Sequence, residues 1–469
     1  MIKRSWNENG SSGGVRRSAG WRNLVILVAL ILVAAACGGG SESGDSTTTE
    51  AATETTADAG SSETTAGIEE PVTIEFWSWS PHAEDIVALF EAEHPNIKVN
   101  LINNGGGGAQ YEKLNVAFAA GSGAPDVAMI EFGLIPQYVL SGDIIPLDDL
   151  GASEVIDDFA DSVVNQVTIN GSVYGTPLDS APMAFGYRSD LAAEAGIEEL
   201  PETWGQFAEA AATFKASFPD AFIVNSPISD ATFLQMLWQA GVTPISVDGT
   251  SVTIDFTSDA ASEVLSYWVD LAQSGLVGTI PAWSPEWNQA FADGTLGGWL
   301  MAAWGPVIIG PAAEDTSGSW RVSRMPSQDG SRASAEWGGS AYTVTAQSEH
   351  PEAAAEFAIW VNHDPEAYQL LFDLTGSFPV LKQYADDAEF LGEPFEFFGG
   401  QDINTVFAEE LKAAPRTWQW GPFKGTLDQN VVEQTLAAQE GTISVDEALQ
   451  NIQDALVTYA QEQGFEVSG

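Results

Sequence analysis

Between Val72 and Ile130, apolar and amphipathic segments alternate in an order that few folds accept. Val72–Trp77 puts Val72, Ile74 and Phe76 on one face, as a strand does. Ser80 and Pro81 offer an N-cap and first helical position for a helix that runs through Phe90 and stops before Pro95. Ile97, Val99 and Leu101 form a second strand. A glycine run at 105–108 then leads into a helix with Tyr111, Leu114 and Phe118 on one face and Gly121 as its stop. Residues 125–130 read as a short buried strand. This strand–helix–strand–helix–strand rhythm predicts an α/β fold with a mainly parallel sheet and helices on both faces. Ligands of such sheets lie beyond the carboxyl ends of the strands, which puts Ser78, Trp79, Glu131 and Phe132 on one rim.

The stretch 174–191, YGTPLDSAPMAFGYRSDL, interrupts the rhythm. A tight Gly-Thr-Pro turn leads to the polar pair Asp179-Ser180, and beyond Tyr187 a new helix begins. One lobe ends here and a second starts, as a chain of 469 residues favours. Helices follow at Pro201-Glu202-Thr203-Trp204, with Phe207, Ala211 and Phe214 on one face, and at 233–240 and 260–274; segments 283–291 and 294–304 come next. Trp337-Gly338-Gly339-Ser340 leads into an alternating strand at 341–345 that returns to the first lobe, an amphipathic helix covers 351–362, and residues 375–379 turn the chain a third time. The predicted first lobe is 72–180 plus 341–376. The second is 181–340 plus 377–469.

The first 36 residues are a signal peptide by their pattern: Lys3, Arg4, Arg16, Arg17 and Arg22 precede an apolar run at 24–36 that is shorter than the about 20 residues a membrane span needs. The run ends at Ala34-Ala35-Ala36-Cys37 and resembles a bacterial lipobox, which implies cleavage before Cys37 and lipidation of the thiol. A plain secretory signal with an incidental cysteine is the alternative reading, and Arg16-Arg17 leaves Sec and twin-arginine export both open. Residues 37–70 hold Gly, Ser, Thr, Glu and Ala without an aromatic residue, too little apolar surface to offset chain entropy, so they are expected to form a disordered acidic tether. Removal of the signal leaves 11 basic and 65 acidic residues, a net charge of −54. Such a body repels nucleic acid and anionic lipid. Cys37 is the one cysteine, so no disulfide braces the fold.

Beyond Val72 the chain resembles the extracellular solute-binding proteins of bacterial ABC importers, in the family that includes maltose-binding protein. The resemblance rests on ordered pieces: a Phe-Trp-rich first strand, YEKLNVAFAAGSGAPDVAMIE, YGTPLDSAPMAFGYRSDL, PETWGQFAEAA, FADGTLGGWLMAAWGP, GGSAYTV before HPEAAAEFAIWVN, and TGSFP. It implies a periplasmic-binding-protein-like fold, two α/β lobes joined by three hinge crossovers that close around a ligand. It also implies ligand contacts at Trp79, Glu131, Phe132, Asp179, Trp304, Trp337, Gly338, Gly339, Trp418 and Trp420. The pattern departs at 301–304, where Met-Ala-Ala-Trp lacks a Gly-Pro before the tryptophan, and at Arg188, which stands where asparagine is common.

These residue types suit sugars. Aromatic faces cover the C–H patches of a pyranose, and carboxylates accept hydrogen bonds from its hydroxyls. Asp179 is the sharpest candidate, because a join between lobes offers a carboxylate few structural partners; each tryptophan is as readily core as platform. The resemblance implies a lipid-anchored, monomeric receptor on the outer face of the cytoplasmic membrane, handing a carbohydrate to ABC permease subunits, with no cofactor and no metal. The same fold with tryptophans and carboxylates also suits a polyamine, an osmolyte or another non-sugar solute, and a secreted glycoside-processing enzyme is a third reading. His82, His94, His350 and His363 lack metal-ligand spacing, and the glycine run at 105–108 lacks the Gly-Lys-Ser/Thr ending of a phosphate loop.

Overall fold

A computed structural model describes residues 70–468 except 249–250, 332, 376–377, 386, 388–390, 393 and 415–419. The signal segment 1–36, Cys37, the tether up to residue 69, Gly376-Ser377 of the third crossover and Trp418 lie outside the described residues.

The first sheet orders its strands Ile97–Ile102, Val72–Trp77, Val127–Glu131, Ser340–Val344 and Thr176–Pro177. The first three are parallel, pairing Val72 with Ile97 and Phe76 with Val127. Ser340–Val344 runs antiparallel beside Val127–Glu131, with Ser340 opposite Glu131, and also pairs with Thr176–Pro177. The chain therefore leaves this sheet after Pro177 and re-enters it at Ser340. Every residue of Ser340–Val344 is buried, as an inner strand with helices over the sheet requires. Phe76 anchors the layer above, edge-on to Tyr342 and to Phe357 of helix Pro351–His363, each 4.9 Å away. Full burial of each such ring is worth about 1.5–3 kcal/mol.

In the second sheet Met183–Arg188 lies between Gly298–Ala302 and Trp320–Ser323, and both pairings are antiparallel. Of these two sheets only the first keeps the parallel rhythm, and the second is wholly antiparallel. Helix Trp204–Ser217 opens with a reciprocal cap, Gln206 N donating to Thr203 Oγ1 and Thr203 N to Gln206 Oε1, and buries Phe207, Ala211 and Phe214.

Three local expectations shift. The Gly175-Thr176-Pro177 segment, expected as a tight turn, is extended, and Thr176 and Pro177 pair with Tyr342 and Ala341 at the edge of the first sheet. Ser80 and Pro81 do not start the first helix, which is Ala83–Glu93 with His82 at its N-cap in a left-handed conformation, φ 60°. The serines are engaged in the preceding turn, where Ser80 N donates to Ser78 Oγ. The segment 283–291 divides: Ser284 caps Trp287 N, the helix is Pro285–Asp293, and Trp283 stays outside it with φ 64°. No helix among the described residues is long and apolar enough to cross a membrane.

Asp230 and Glu410 are both sealed from water. Asp230 is 2 % exposed and accepts from Asn225 Nδ2 (2.6 Å) and Trp287 Nε1 (3.1 Å). Burial pushes its carboxyl up to about 7, against the pull of those two hydrogen bonds. Glu410, also buried, accepts from Met325 N and Arg324 Nε, and burial raises it to about 7 despite the Arg324 charge. In the unfolded chain both ionise near 4. Between those values the folded protein binds more protons than the unfolded one, so the stability these groups confer is full at low pH and is lost as pH rises to about 7. Melting temperature measured by calorimetry should fall from pH 5 to pH 8, and Asp230→Asn, which keeps the acceptor oxygen, should flatten part of that fall.

Candidate ligand-binding site

Two chain segments that join the sheets run side by side. Leu178 N donates to Ser340 O (2.8 Å), Trp337 N to Ala181 O (2.8 Å) and Met183 N to Ala335 O (2.8 Å), with an antiparallel bridge between Pro182 and Glu336. Side chains reinforce the pair. Ser340 N donates to Asp179 Oδ1 (2.7 Å), and Ser180 Oγ to Glu336 (2.7 Å). Asp179 thus has the structural partner that its position at a join seemed to deny it, and one oxygen is committed to the fold.

Gly338 and Gly339 have φ 111° and 94°, where L side chains are strained. A Cβ at Gly339 would stand 2.5 Å from Phe132 Cε2 and 3.2 Å from Asp179 O. Phe132 N donates to Gly339 O (3.0 Å), and Phe132 is 1 % exposed. Its ring supports the second crossover from beneath and is not open on the rim. The Trp420 ring packs over Gly133, 3.3 Å from where a Cβ would be; it is 6 % exposed and stands edge-on to Trp238 at 4.6 Å.

The acids form a second group. Glu131, half-buried at the end of its strand, accepts from Tyr111 Oη (3.1 Å), and its own N–H donates to the same oxygen (3.0 Å). Trp79 stands edge-on to Tyr111 at 5.8 Å. Burial raises the Tyr111 hydroxyl well above its ordinary range, and the Glu131 charge pushes the same way. Asp179 is pushed up to about 7, chiefly by burial and further by the charges of Glu131 and Glu336, against the pull of the Ser340 N–H. Glu336, 1 % exposed, is likewise raised by burial.

The aromatic group is built around strand Gly298–Ala302. Trp304 and Trp337 lie 4.8 Å apart, and Trp304 Nε1 donates to Trp337 O (3.0 Å). Trp299 and Trp287 close the base, and Trp283 stands at the edge, 5.9 Å from Trp304 and 6.2 Å from Trp337. Gly338 connects this group to the crossovers, since a Cβ there would be 3.8 Å from both Trp304 Nε1 and Ala181 Cβ. The fold therefore assembles Asp179, Gly338, Gly339, Trp337 and Trp304 directly, links Glu131 and Trp79 through Tyr111, and reaches Trp420 by way of Gly133.

Tyr111, Glu336 and Trp283 complete the constellation without having been read from the sequence as site residues. Trp283 had a usable signal, a tryptophan between Pro281 and Pro285; Glu336 had none. A groove of about 1070 Å³ lined by His94, Asp149, Glu356, Trp360 and His363 shares no residue with this region. Among the described residues no group of His, Cys, Asp and Glu is arranged to hold a metal ion.

The crossover contacts have a mutational consequence. Gly339→Ala combines a positive φ with a clash, and should lower stability by about 2 kcal/mol in urea denaturation. Adding Phe132→Leu should recover part of that loss by giving the new methyl group room.

Comparisons with known proteins agree with this architecture. Residues 85–394 match the bacterial extracellular solute-binding protein family. The lactose-binding protein of Rhizobium radiobacter is 27 % identical over 407 residues, spanning 83 % of this chain and 93 % of that protein. Among solved structures, the ABC transporter associated binding protein from B. animalis subsp. lactis Bl-04 in complex with β-1,6-galactobiose has a TM-score of 0.72 and 32 % identity, covering 85 % of this chain and 100 % of that one. The galacto-N-biose-/lacto-N-biose I-binding protein from Bifidobacterium longum gives 0.74 and 25 %, covering 86 % and 100 %. The two sheets and their crossovers are a periplasmic-binding-protein fold, and the chain belongs to the bacterial extracellular solute-binding protein family.

Proposed function

We propose that this protein is the lipid-anchored solute receptor of an ABC importer, taking a sugar or oligosaccharide between its lobes (72–180 plus 341–376, and 181–340 plus 377–469) and passing it unchanged to the permease. The observation that carries the reading is the meeting of an aromatic wall, Trp304 and Trp337, with the carboxylates of Asp179 and Glu131 at the paired crossovers. Indole faces remove the apolar C–H patches of a pyranose from water, at about 25 cal/mol per Å². Carboxylates accept from its hydroxyls, each bond to a charged group being worth about 1.5–3 kcal/mol. The ligands named for related proteins, lactose, β-1,6-galactobiose and lacto-N-biose, support a carbohydrate and head the set to be tried.

A ligand touching both lobes shifts an open–closed equilibrium by its differential contacts. It also raises the melting temperature by mass action. A thermal-shift panel of these three sugars, other mono- and oligosaccharides and a polyamine should give a rise with at least one saccharide. Trp304→Ala should weaken that saccharide more than tenfold without unfolding the protein. No rise with any saccharide, or a rise with the amine alone, overturns the carbohydrate reading.

The anchor is a separate element of the proposal. It is supported by the apolar run ending in Ala34-Ala35-Ala36-Cys37 and by the acidic tether that follows. In a bacterial host, Cys37→Ser should abolish incorporation of labelled palmitate, with the protein moving from the membrane fraction to the medium.

A further inference from the structure

Trp283 is 53 % exposed, the one strongly exposed tryptophan among the described residues, and its φ of 64° lies in the left-handed region that bulky residues avoid. Both features are costly, and the neighbouring residues hold them in place. Asn225 clamps the loop, its Nδ2 donating to Ile280 O (2.9 Å) and its Oδ1 accepting from Ile280 N (3.0 Å). The same Nδ2 donates to Asp230, which also takes the Trp287 indole N–H. On the far side Ser284 Oγ accepts from Trp287 N (3.1 Å), which sets the first turn of the helix immediately after Trp283. The Trp283 ring rests on Trp287 at 5.2 Å and lies closer to parallel with Trp304, at 33°, than with any other of its tryptophan neighbours.

A buried polar network and a strained backbone thus present an indole to water, the reverse of what folding alone favours. The arrangement becomes favourable when an apolar surface covers the outer part of the wall. Trp304 and Trp337 form its inner, half-buried part, 4.8 Å apart, and Trp283 extends it outward. One pyranose occupies about one indole face, so the outer face is surplus to a monosaccharide held at the inner pair. We propose that Trp283 is a specificity-determining residue that covers the second ring of a bound sugar, making the site selective for saccharides of two or more rings over single ones. The inference rests on the carbohydrate reading above.

Isothermal titration of the wild type, Trp283→Ala and Trp283→Phe with lactose, β-1,6-galactobiose, lacto-N-biose and galactose tests it. At least one disaccharide should bind the wild type more tightly than galactose. Trp283→Ala should weaken that disaccharide about tenfold or more while changing galactose less than about twofold. Trp283→Phe should fall between, and the melting temperatures of the unliganded proteins should coincide. Equal losses for disaccharide and galactose, unchanged disaccharide affinity in Trp283→Ala, or a wild type that prefers galactose would overturn the assignment of Trp283 and leave the carbohydrate reading standing. A wild type that binds none of the saccharides in the thermal-shift panel overturns the carbohydrate reading itself.

Discussion

The hydrogen bond from Ser340 N to Asp179 Oδ1 ties together the two segments that carry Asp179, Trp337, Gly338 and Gly339, on which the rest of the site converges. A lone crossover between two sheets is a flexible strand of chain. Two crossovers paired through Leu178, Ala181 and Met183 on one side and Ser340, Trp337 and Ala335 on the other form a short ribbon, which bends as a unit. The pairing also sets register. It places Trp337 against Ala181, so the aromatic wall and the Asp179 carboxylate are positioned by the same few backbone bonds. Gly339 is the tightest point, where Phe132 and the Asp179 carbonyl leave no room for a side chain.

The ribbon also concentrates negative charge. Asp179 senses the charges of Glu131 and Glu336, and no cation contributes to the shift at Asp179 or Glu336. Ser340 N–H and Ser180 Oγ–H supply neutral donors in its place. Asp179 and Glu336 hold their protons more tightly than exposed acids do. A sugar hydroxyl can donate to an ionised carboxylate or accept from a protonated one, so a neutral polyol tolerates either state of Asp179. A cationic ligand needs the ionised form, which places its affinity at the mercy of pH near 7.

The backbone plan was legible in the sequence wherever periodicity is strong. Val72–Trp77 and helix Pro351–His363 follow from alternation and amphipathic spacing, because burial on one face imposes that pattern; the return strand at Ser340 stands where it was expected but is buried on both faces rather than alternating. What escaped was decided by local competition or by distant partners. Ser80 reads as a helix cap by type, yet Ser78 engages its backbone N–H two residues away and delays the helix. The antiparallel pairing of Met183–Arg188 depends on strands more than a hundred residues downstream, and nothing within its own six residues encodes it. In the site, Asp179 and the Trp-Gly-Gly run were visible as polar or unusual residues at joins. Glu336 is an ordinary glutamate in sequence, and only the pairing of the crossovers brings it to Ser180. Phe132 looked like a rim residue by its position after a strand, but the close approach of Gly339 turns its ring inward.

The chemistry of the constellation is divided between the sheets. Glu131 and Trp79 stand at the ends of first-sheet strands, while Trp304 and Trp299 extend from Gly298–Ala302 of the second. On the proposed reading, neither half suffices: tryptophans without carboxylates take any apolar ring, and carboxylates without a wall bind hydroxyls no better than water does. Selectivity then requires both at once, and a ligand that satisfies both has contacts in the closed arrangement that it lacks in the open one. Differential contact of this kind is the only way binding can bias a hinge. On that reading the residues that would recognise the sugar are also those that would report its presence to the permease, with the crossover ribbon between them as the hinge.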